Sequence, residues 1–462
     1  MKILKLGVNR NMKYISIFVL FLGVSLEAMT LQETIDYALE HNNALKQSDV
    51  SIQRAKEVRD SKAADKFGRV DLTASYDHFN NSRTLAPLTP MSIVGSPDGA
   101  YTIPTTKDLF SVGVSYNVSL FDGFAQKSDY AISDLQYLSS HIKTKLAKEE
   151  LIYNVRSLYI SILSLEEQLK AQQIYTKAQT RLLENIKKER ELGSKSKLDV
   201  LKAQNSVEES KMQEVSIAAN IDIIKASLSA IMGDREFDKA EGISISIDHA
   251  DDVEVDDKDI TSLDRFKASE LNVKANAKKR EKLKGMYYPR VDFMAYYGQN
   301  FGPNDTTNTV PLTSTAPTAG QTIINEGDWN NEAIWQVGIH LKWNILDFGK
   351  TSALNQEARL SYMKAKLESD GVKIEMRKSI IKAKNEIRLS MAQYNNLLSQ
   401  YNLLEETYKI EKVRYDNDAL SLSDLLDTSA KKKLIYAKVI NAKYNYQKAK
   451  YYLDYLLETG EK

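Results

Sequence analysis

Asp347-Phe348-Gly349 is the tripeptide that holds magnesium over a nucleotide in protein kinases. Phosphoryl transfer needs more than this triplet. It needs a glycine-rich phosphate loop, a strand lysine that reaches the phosphates and a loop aspartate that positions the attacking hydroxyl. None of these patterns occurs in the 462 residues. The other groups that could do chemistry stand alone. There is no cysteine, which excludes thiol catalysis, thiolate metal sites, disulfides and a lipid-modified N-terminal Cys. His41, His78, His141, His249 and His340 are scattered, with no metal-ligand spacing between any two. No nucleophile, base and oxyanion donor form a set, so the residues predict no enzyme, no metal site and no cofactor.

The residues before the triplet explain it better. Trp335, Val337, Ile339, Leu341, Trp343 and Ile345 are apolar, and the residues between them are polar or Gly. That period of two is a strand with one oily and one wet face, with His340 on the wet one. The strand has a twin. Shifting by 225 residues lays VGVSYNVSLFDGF (from Val112) on VGIHLKWNILDFG (from Val337) without a gap, and Asp122 on Asp347. A further strand precedes each, RVDLTASY from Arg69 and RVDFMAYY from Arg290. Polar loops at roughly 79–107 and 301–331 separate the members of each pair.

After each strand pair the period becomes helical. Leu151, Val155, Leu158, Ile162, Leu165 and Leu169 form a heptad seam, continued in phase by Leu183 and Ile186. The second seam is Met376, Ile380, Ala383, Ile387, Ser390 and Tyr394, then Leu397, Tyr401 and Leu404. A helix from about 125 to 190 would be roughly 100 Å long. Return helices are expected at about 196–232 and 422–458, and helices before the strands at about 31–66 and 259–286. Asp122 and Asp347 then sit where strand becomes helix, as N-caps beside turn glycines. The triplet reads as a junction.

Charge is balanced, 63 Lys+Arg against 62 Asp+Glu, with no basic excess for nucleic acid. Lys2, Lys5, Arg10 and Lys13 precede an apolar run from Tyr14 to Val24, with Ala28 as a cleavage position. This predicts an exported chain with a signal peptide over 1–28, starting at Met1 or Met12; an uncleaved anchor is the alternative. The predicted organisation continues with a first repeat over 29–247, holding strands at about 69–80 and 108–122 and a turn near 193. An acidic linker follows over 248–258, too poor in Gly and in the wrong spacing for an EF-hand. The second repeat spans 259–462, with strands at about 290–300 and 332–347 and a turn near 418.

Alternating strands of about nine to eleven residues match tilted barrel strands that cross a bilayer. Phe110, Tyr116, Phe293, Tyr297, Trp335 and Trp343 are aromatics of the kind that favour its interfaces. Four strands cannot close a barrel, and an open edge in lipid leaves backbone groups unpaired, so several chains must pool their strands. The helices are too long and too polar to cross the membrane.

This plan resembles the outer-membrane efflux protein family, typified by TolC. The likeness covers the whole mature chain and rests on the doubled architecture, the strand ends LFDG (120–123) and ILDFG (345–349), and the turns GSKSKLDVLKAQ (193–204) and DALSLSDLLDT (418–428). It implies an α+β membrane protein. Its homotrimer would form a twelve-stranded antiparallel β-barrel, four strands per chain, continued by a periplasmic α-helical coiled-coil barrel. It implies residence in the outer membrane of a Gram-negative bacterium, with the barrel in lipid and the helices in the periplasm. It implies an exit duct for efflux or type I secretion. The partners would be a periplasmic adaptor and an inner-membrane pump of RND, ABC or MFS type, and the cargo small molecules or unfolded proteins. Leu192, Gly193, Ser194, Asp418, Ala419 and Leu420 would be the docking tips. Asp424 and Asp427 would ring a periplasmic gate, with Asp199 and Tyr415 as further gate or cap residues.

Two residue patterns bear on the gate. Ser421-Leu422-Ser423-Asp424 is also a helix start with an acidic N3, and Ser196-Lys197-Leu198-Asp199 repeats it. Capping accounts for Asp199 and Asp424 but not for Asp427, whose twin is Lys202. The chain also departs from the family. Asn417-Asp418 replaces the turn glycine of the second copy, and both residues tolerate the left-handed conformation. Lys195 and Leu420 stand where some members carry a latch arginine. The alternative readings are a periplasmic adaptor or a structural coiled-coil envelope protein without channel activity.

Overall fold

A computed structural model describes residues 28–87, 104–247, 257–305, 308–309, 322–417 and 419–460. The signal peptide read over 1–28 falls outside these except for Ala28, as do linker residues 248–256 and loop residues 88–103, 306–307 and 310–321. The chain divides into two compact units, one of residues 1–41, 154–248 and 390–448, the other of residues 42–153, 249–389 and 449–462.

The second of these units carries the sheet. Its strands are β1 (Arg69–Thr84), β2 (Thr105–Phe121), β3 (Arg290–Pro303) and β6 (Trp329–Lys342), all antiparallel in the order β1-β2-β3-β6. Opposed residues of an antiparallel ladder share a face, so the register decides whether four oily faces become one. They do. Leu72, Val114, Tyr297 and Trp335 form one cross-strand row, and Val70, Tyr116, Ala295 and Val337 the next. The wet face holds the row Asp71, Ser115, Tyr296 and Gln336. There the Tyr296 ring lies over the space above the paired Gly113 and Gly298, where a Cβ on either residue would collide with it.

Several boundaries differ from the expected ones. The first three strands are longer, because pairing continues past the alternating stretch: beyond a register shift after His78, Arg83 and Thr84 still pair with Thr106 and Thr105. The strand expected to reach residue 347 stops at Lys342, opposite Arg290 at the start of β3. Before Arg290 lies the 3-10 turn Gly285–Tyr287, so the backbone beyond Lys342 has no strand to pair with. Trp343 instead donates its indole N–H to the Tyr287 carbonyl at 3.1 Å. Inside the second polar loop, β4 (Asn308–Thr309) and β5 (Thr322–Ile324) form a small ladder.

The helix expected over 31–66 is two helices, α1 (Leu31–His41) and α2 (Asn43–Ala64). Asn42 takes an extended ψ of 123° and its side chain accepts from the Leu45 amide at 3.0 Å, so it starts a new helix instead of continuing the old one. The helix expected over 259–286 is likewise α5 (Asp257–Ser262) and α6 (Asp264–Lys284), broken at the extended Leu263. The Glu458 carboxylate accepts from the amides of Asp264 and Arg265, at 2.5 and 3.0 Å, and satisfies the first turn of α6. Asp257 and Lys258, read as linker, belong to α5.

The long helices are α3 (Ala125–Glu191), α4 (Lys197–Ile231), α7 (Lys350–Asp416) and α8 (Leu422–Leu456). The heptad positions are buried or half-buried throughout. Val155, Ile162 and Ile186 of α3 are fully covered, as Ala383 nearly is in α7. In the first unit Tyr159 adds a polar fixture. Its buried hydroxyl lies 2.7 Å from the Met29 carbonyl and 2.8 Å from that of Glu241, and burial pushes its pKa up to about 12.

Candidate functional site

The strand-to-helix junctions carry the triplet. The Asp122 carboxylate accepts from the amides of Ala125 and Gln126 at 2.9 and 2.8 Å. The Asp347 carboxylate accepts from those of Gly349 and Thr351 at 3.1 and 2.8 Å. The expected N-cap position is off by two, since the helices start at Ala125 and Lys350, but both carboxylates still cap the first-turn amides from upstream, and bonding to Thr351 and Gly349 holds the Asp347 carboxyl below its ordinary value. The φ values of Phe348 (54°) and Gly349 (94°) mark the sharp turn. Among the described residues no group of His, Asp and Glu is arranged to hold a metal.

The first unit contains the two helical turns, and they share one core. Leu183, Ile186, Val200, Ala203, Val207, Tyr415, Leu422 and Leu425 pack together beneath them. The first turn closes with Ser194 N–H on the Glu189 carbonyl (2.8 Å) and Gly193 N–H on that of Arg190 (3.0 Å), the pair of bonds that requires a left-handed residue. Gly193 supplies it with φ 80°. The second turn closes with the equivalent bond from Ala419 N–H to the Arg414 carbonyl at 2.8 Å. Asp418, in the position of the glycine, lies outside the described residues, and Asn417 does not take a positive φ. Asn417 instead donates its side-chain amide to the Val413 carbonyl at 2.7 Å.

Of the tip residues, Leu192, Gly193, Ser194 and Ala419 are exposed, Leu192 at 83 %. Leu420 is not a bare tip residue, because its side chain packs against the shared core. Tyr415 is buried, its hydroxyl has no hydrogen-bond partner among the described residues, and Lys195 covers its ring with Nζ 4.6 Å from the centroid.

Each aspartate among the gate candidates has a local partner. Ser196 and Asp199 form a complete capping box, and the Ser196 hydroxyl and amide hold the Asp199 carboxyl below its ordinary value. The Ser421 hydroxyl accepts from the Asp424 amide at 3.2 Å and donates to its carboxylate at 2.6 Å. Asp427 is exposed and lies 2.6 Å from Lys431 Nζ one turn on. Sequence reasoning missed that lysine, although the spacing of four on a helix announces it.

The apolar sheet face is the other site. Its side chains are exposed, among them Leu72 at 76 %, Trp335 at 73 % and Ile339 at 67 %. Aromatics gather at one end of the face. Phe110 lies 4.8 Å from Tyr76, 5.5 Å from Phe301 and 5.4 Å from Trp329 between ring centroids. The outer edges of β1 and β6 have no partner strand among the described residues, and no described helix is long and apolar enough to cross a membrane.

The model of the outer membrane efflux protein family matches residues 34–234 and 264–457. The chain belongs to the outer membrane efflux protein family. This makes it an outer-membrane transport protein of a Gram-negative envelope. No curated protein matches it. Solved structures share its fold at low identity. A membrane protein from Pseudomonas aeruginosa is 17 % identical with a TM-score of 0.74, covering 92 % of this chain and 93 % of that one. The outer membrane protein VceC from Vibrio cholerae is 13 % identical with a TM-score of 0.73, covering 93 % and 96 %. The Campylobacter jejuni CmeC outer membrane channel is 14 % identical with a TM-score of 0.73, covering 93 % and 86 %.

Proposed function

We propose that three copies of the chain pool their four-stranded sheets into a closed twelve-stranded barrel in the outer membrane, with the long helices in the periplasm. The reading rests on one observation: four strands of 14 to 17 residues present a single continuous apolar face and, among the described residues, leave both outer edges unpaired. Such a face belongs in lipid, and unpaired edges there must meet further strands. The assembly is a passive exit duct. It catalyses no reaction and takes cargo from a periplasmic adaptor and an inner-membrane pump of RND, ABC or MFS type. The cargo is small molecules or unfolded protein, the latter through type I secretion.

In this reading the two turns meet the adaptor through Leu192, Gly193, Ser194, Asp418 and Ala419. Asp424 and Asp427 from three copies converge on the periplasmic constriction and make it cation-selective. The test is assembly followed by conductance. Outer-membrane fractions should hold a trimer that heating converts to a faster or slower band, and the purified trimer should form discrete channels in planar bilayers. A monomer that inserts, or a trimer without conductance, would discard the duct.

A further inference from the structure

Three helices of the first unit surround a cavity of about 330 Å³. Its floor is α3, where Ala171 and Ala178, one heptad apart, leave room beside Tyr175. Tyr401 and Tyr408 of α7 form one wall, and Tyr436 of α8 faces Tyr401 with ring centroids 4.9 Å apart. Two adjacent lysines of α8 reach the cavity, and their states differ. Lys432 is engaged: its Nζ lies 2.7 Å from the Glu405 carboxylate and 4.5 Å from the Tyr408 ring centroid.

Among the described residues Lys433 has only the Tyr175 ring, at 5.4 Å, and no carboxylate within ion-pair reach. Its amine is half-buried, and that burial holds its pKa below the ordinary lysine value. An ammonium withdrawn from water without a counter-charge is costly, and an anion beside it removes the cost. The phenols add no negative charge of their own. Tyr401 donates to Glu405 at 3.2 Å, and burial with that carboxylate pushes its pKa up to about 12. Burial likewise raises Tyr408. What remains is a small slot with aromatic faces, neutral phenols and one unbalanced cation. Its volume lies at the low end for small-molecule pockets.

We propose that the cavity between α3, α7 and α8 is a binding site for a small planar aromatic carboxylate, with the acid group on Lys433 and the ring among Tyr175, Tyr401 and Tyr436. The geometry disfavours a cation, because no acidic residue is among those that line the slot and the Glu405 carboxylate beside it is already taken by Lys432. The inference does not depend on the channel reading. It concerns binding to the helical wall, whatever passes through the assembly.

The test is calorimetric titration of the full-length protein in detergent with 2-naphthoate, alongside the neutral 2-naphthalenemethanol. The acid should bind and the alcohol bind at least about tenfold more weakly, as expected for a charge-assisted contact. Lys433→Met should weaken the acid by at least about tenfold and leave the alcohol unchanged, while Lys433→Arg should stay within about threefold of the parent. Ala178→Phe, which fills the floor, should abolish both; an unchanged circular dichroism melt confirms that each variant is folded. Equal binding of acid and alcohol, or indifference of the acid to Lys433→Met, overturns the site. So does absence of acid binding at millimolar concentration, the result expected if a neighbouring copy covers the mouth.

Discussion

Lys195 Nζ stands 4.6 Å from the centroid of the Tyr415 ring, so a residue just past the first helical turn covers one just before the second. The Tyr415 ring is buried in the core that both turns share, and its hydroxyl is buried without a partner among the described residues. The ring therefore carries the stability and the hydroxyl does not. Tyr415→Phe is expected to hold or raise the thermal melting point, Tyr415→Ala to lower stability by about 3–5 kcal/mol, and Lys195→Met by about 0.5–1 kcal/mol. If Phe proves as damaging as Ala, the hydroxyl has a partner in the assembled protein.

The Asp427–Lys431 pair gives the gate hypothesis a sharper form. If Asp424 and Asp427 line the constriction, Lys431 offsets part of their charge there. The double substitution Asp424→Ala with Asp427→Ala should relieve block by multivalent cations added on the periplasmic side and weaken cation selectivity. Lys431→Gln should act in the opposite direction, with tighter block and higher selectivity. Planar-bilayer recordings read both, and parental behaviour in both variants would place the constriction elsewhere.

On the sheet, Ile339 pairs with Phe293 on the apolar face and His340 with Asp292 on the other. Ile339→Arg should cost about 2–4 kcal/mol near the bilayer midplane and reduce trimer in the outer membrane. His340→Arg should assemble normally. Equal yields of the two variants would reverse or abolish the assignment of faces.

The Asp199 cap predicts a pH dependence. Its carboxyl pKa is lowered in the folded protein by Ser196, so its contribution is present above the unfolded value, about 3.9, and is lost as pH falls through the lower folded value. Asp199→Asn should therefore melt below the parent at pH 7, with the gap closing on acidification below about pH 4. A gap that persists at pH 2 would mean that the substitution damages packing instead of the cap.

The junction aspartates make the last prediction. Asp122→Ala should destabilise by about 1 kcal/mol through loss of the cap of α3. Asp347→Ala should also destabilise, and calorimetry of the parent with magnesium and ATP should give no binding heat. Saturable heat that disappears in Asp347→Ala would return the triplet to phosphate chemistry.

The strands and long helices were legible because their periodicities are local: two residues on a pleat, three and four on a coil. Asp122 and Asp347 were legible as caps because an aspartate before a helix satisfies amides only two to four residues away. The break at Asn42 was also written in the sequence, as an asparagine beneath an otherwise helical pattern, and the expectation of one helix passed over it. Lys431 was equally available one helical turn beyond Asp427.

The end of β6 is a different case. Residues 343–345 continue the alternation, yet they leave the sheet because the 3-10 turn at Gly285–Tyr287 removes the backbone they would pair with. The Glu458 carboxylate on α6, the Tyr159 hydroxyl between Met29 and Glu241, and the Tyr296 ring over Gly113 and Gly298 join residues far apart in the chain. So do Lys195 over Tyr415 and the slot around Lys433. The sequence by itself determined the oily strand faces, the helical seams, the capped junctions and the family, because each depends on neighbours within a turn or a pleat. Only the tertiary structure decided the register that merges four faces into one, the end of the last strand and the distant partners of buried polar groups such as the Tyr159 hydroxyl, because hydrogen bonds and burial between distant segments carry no local period.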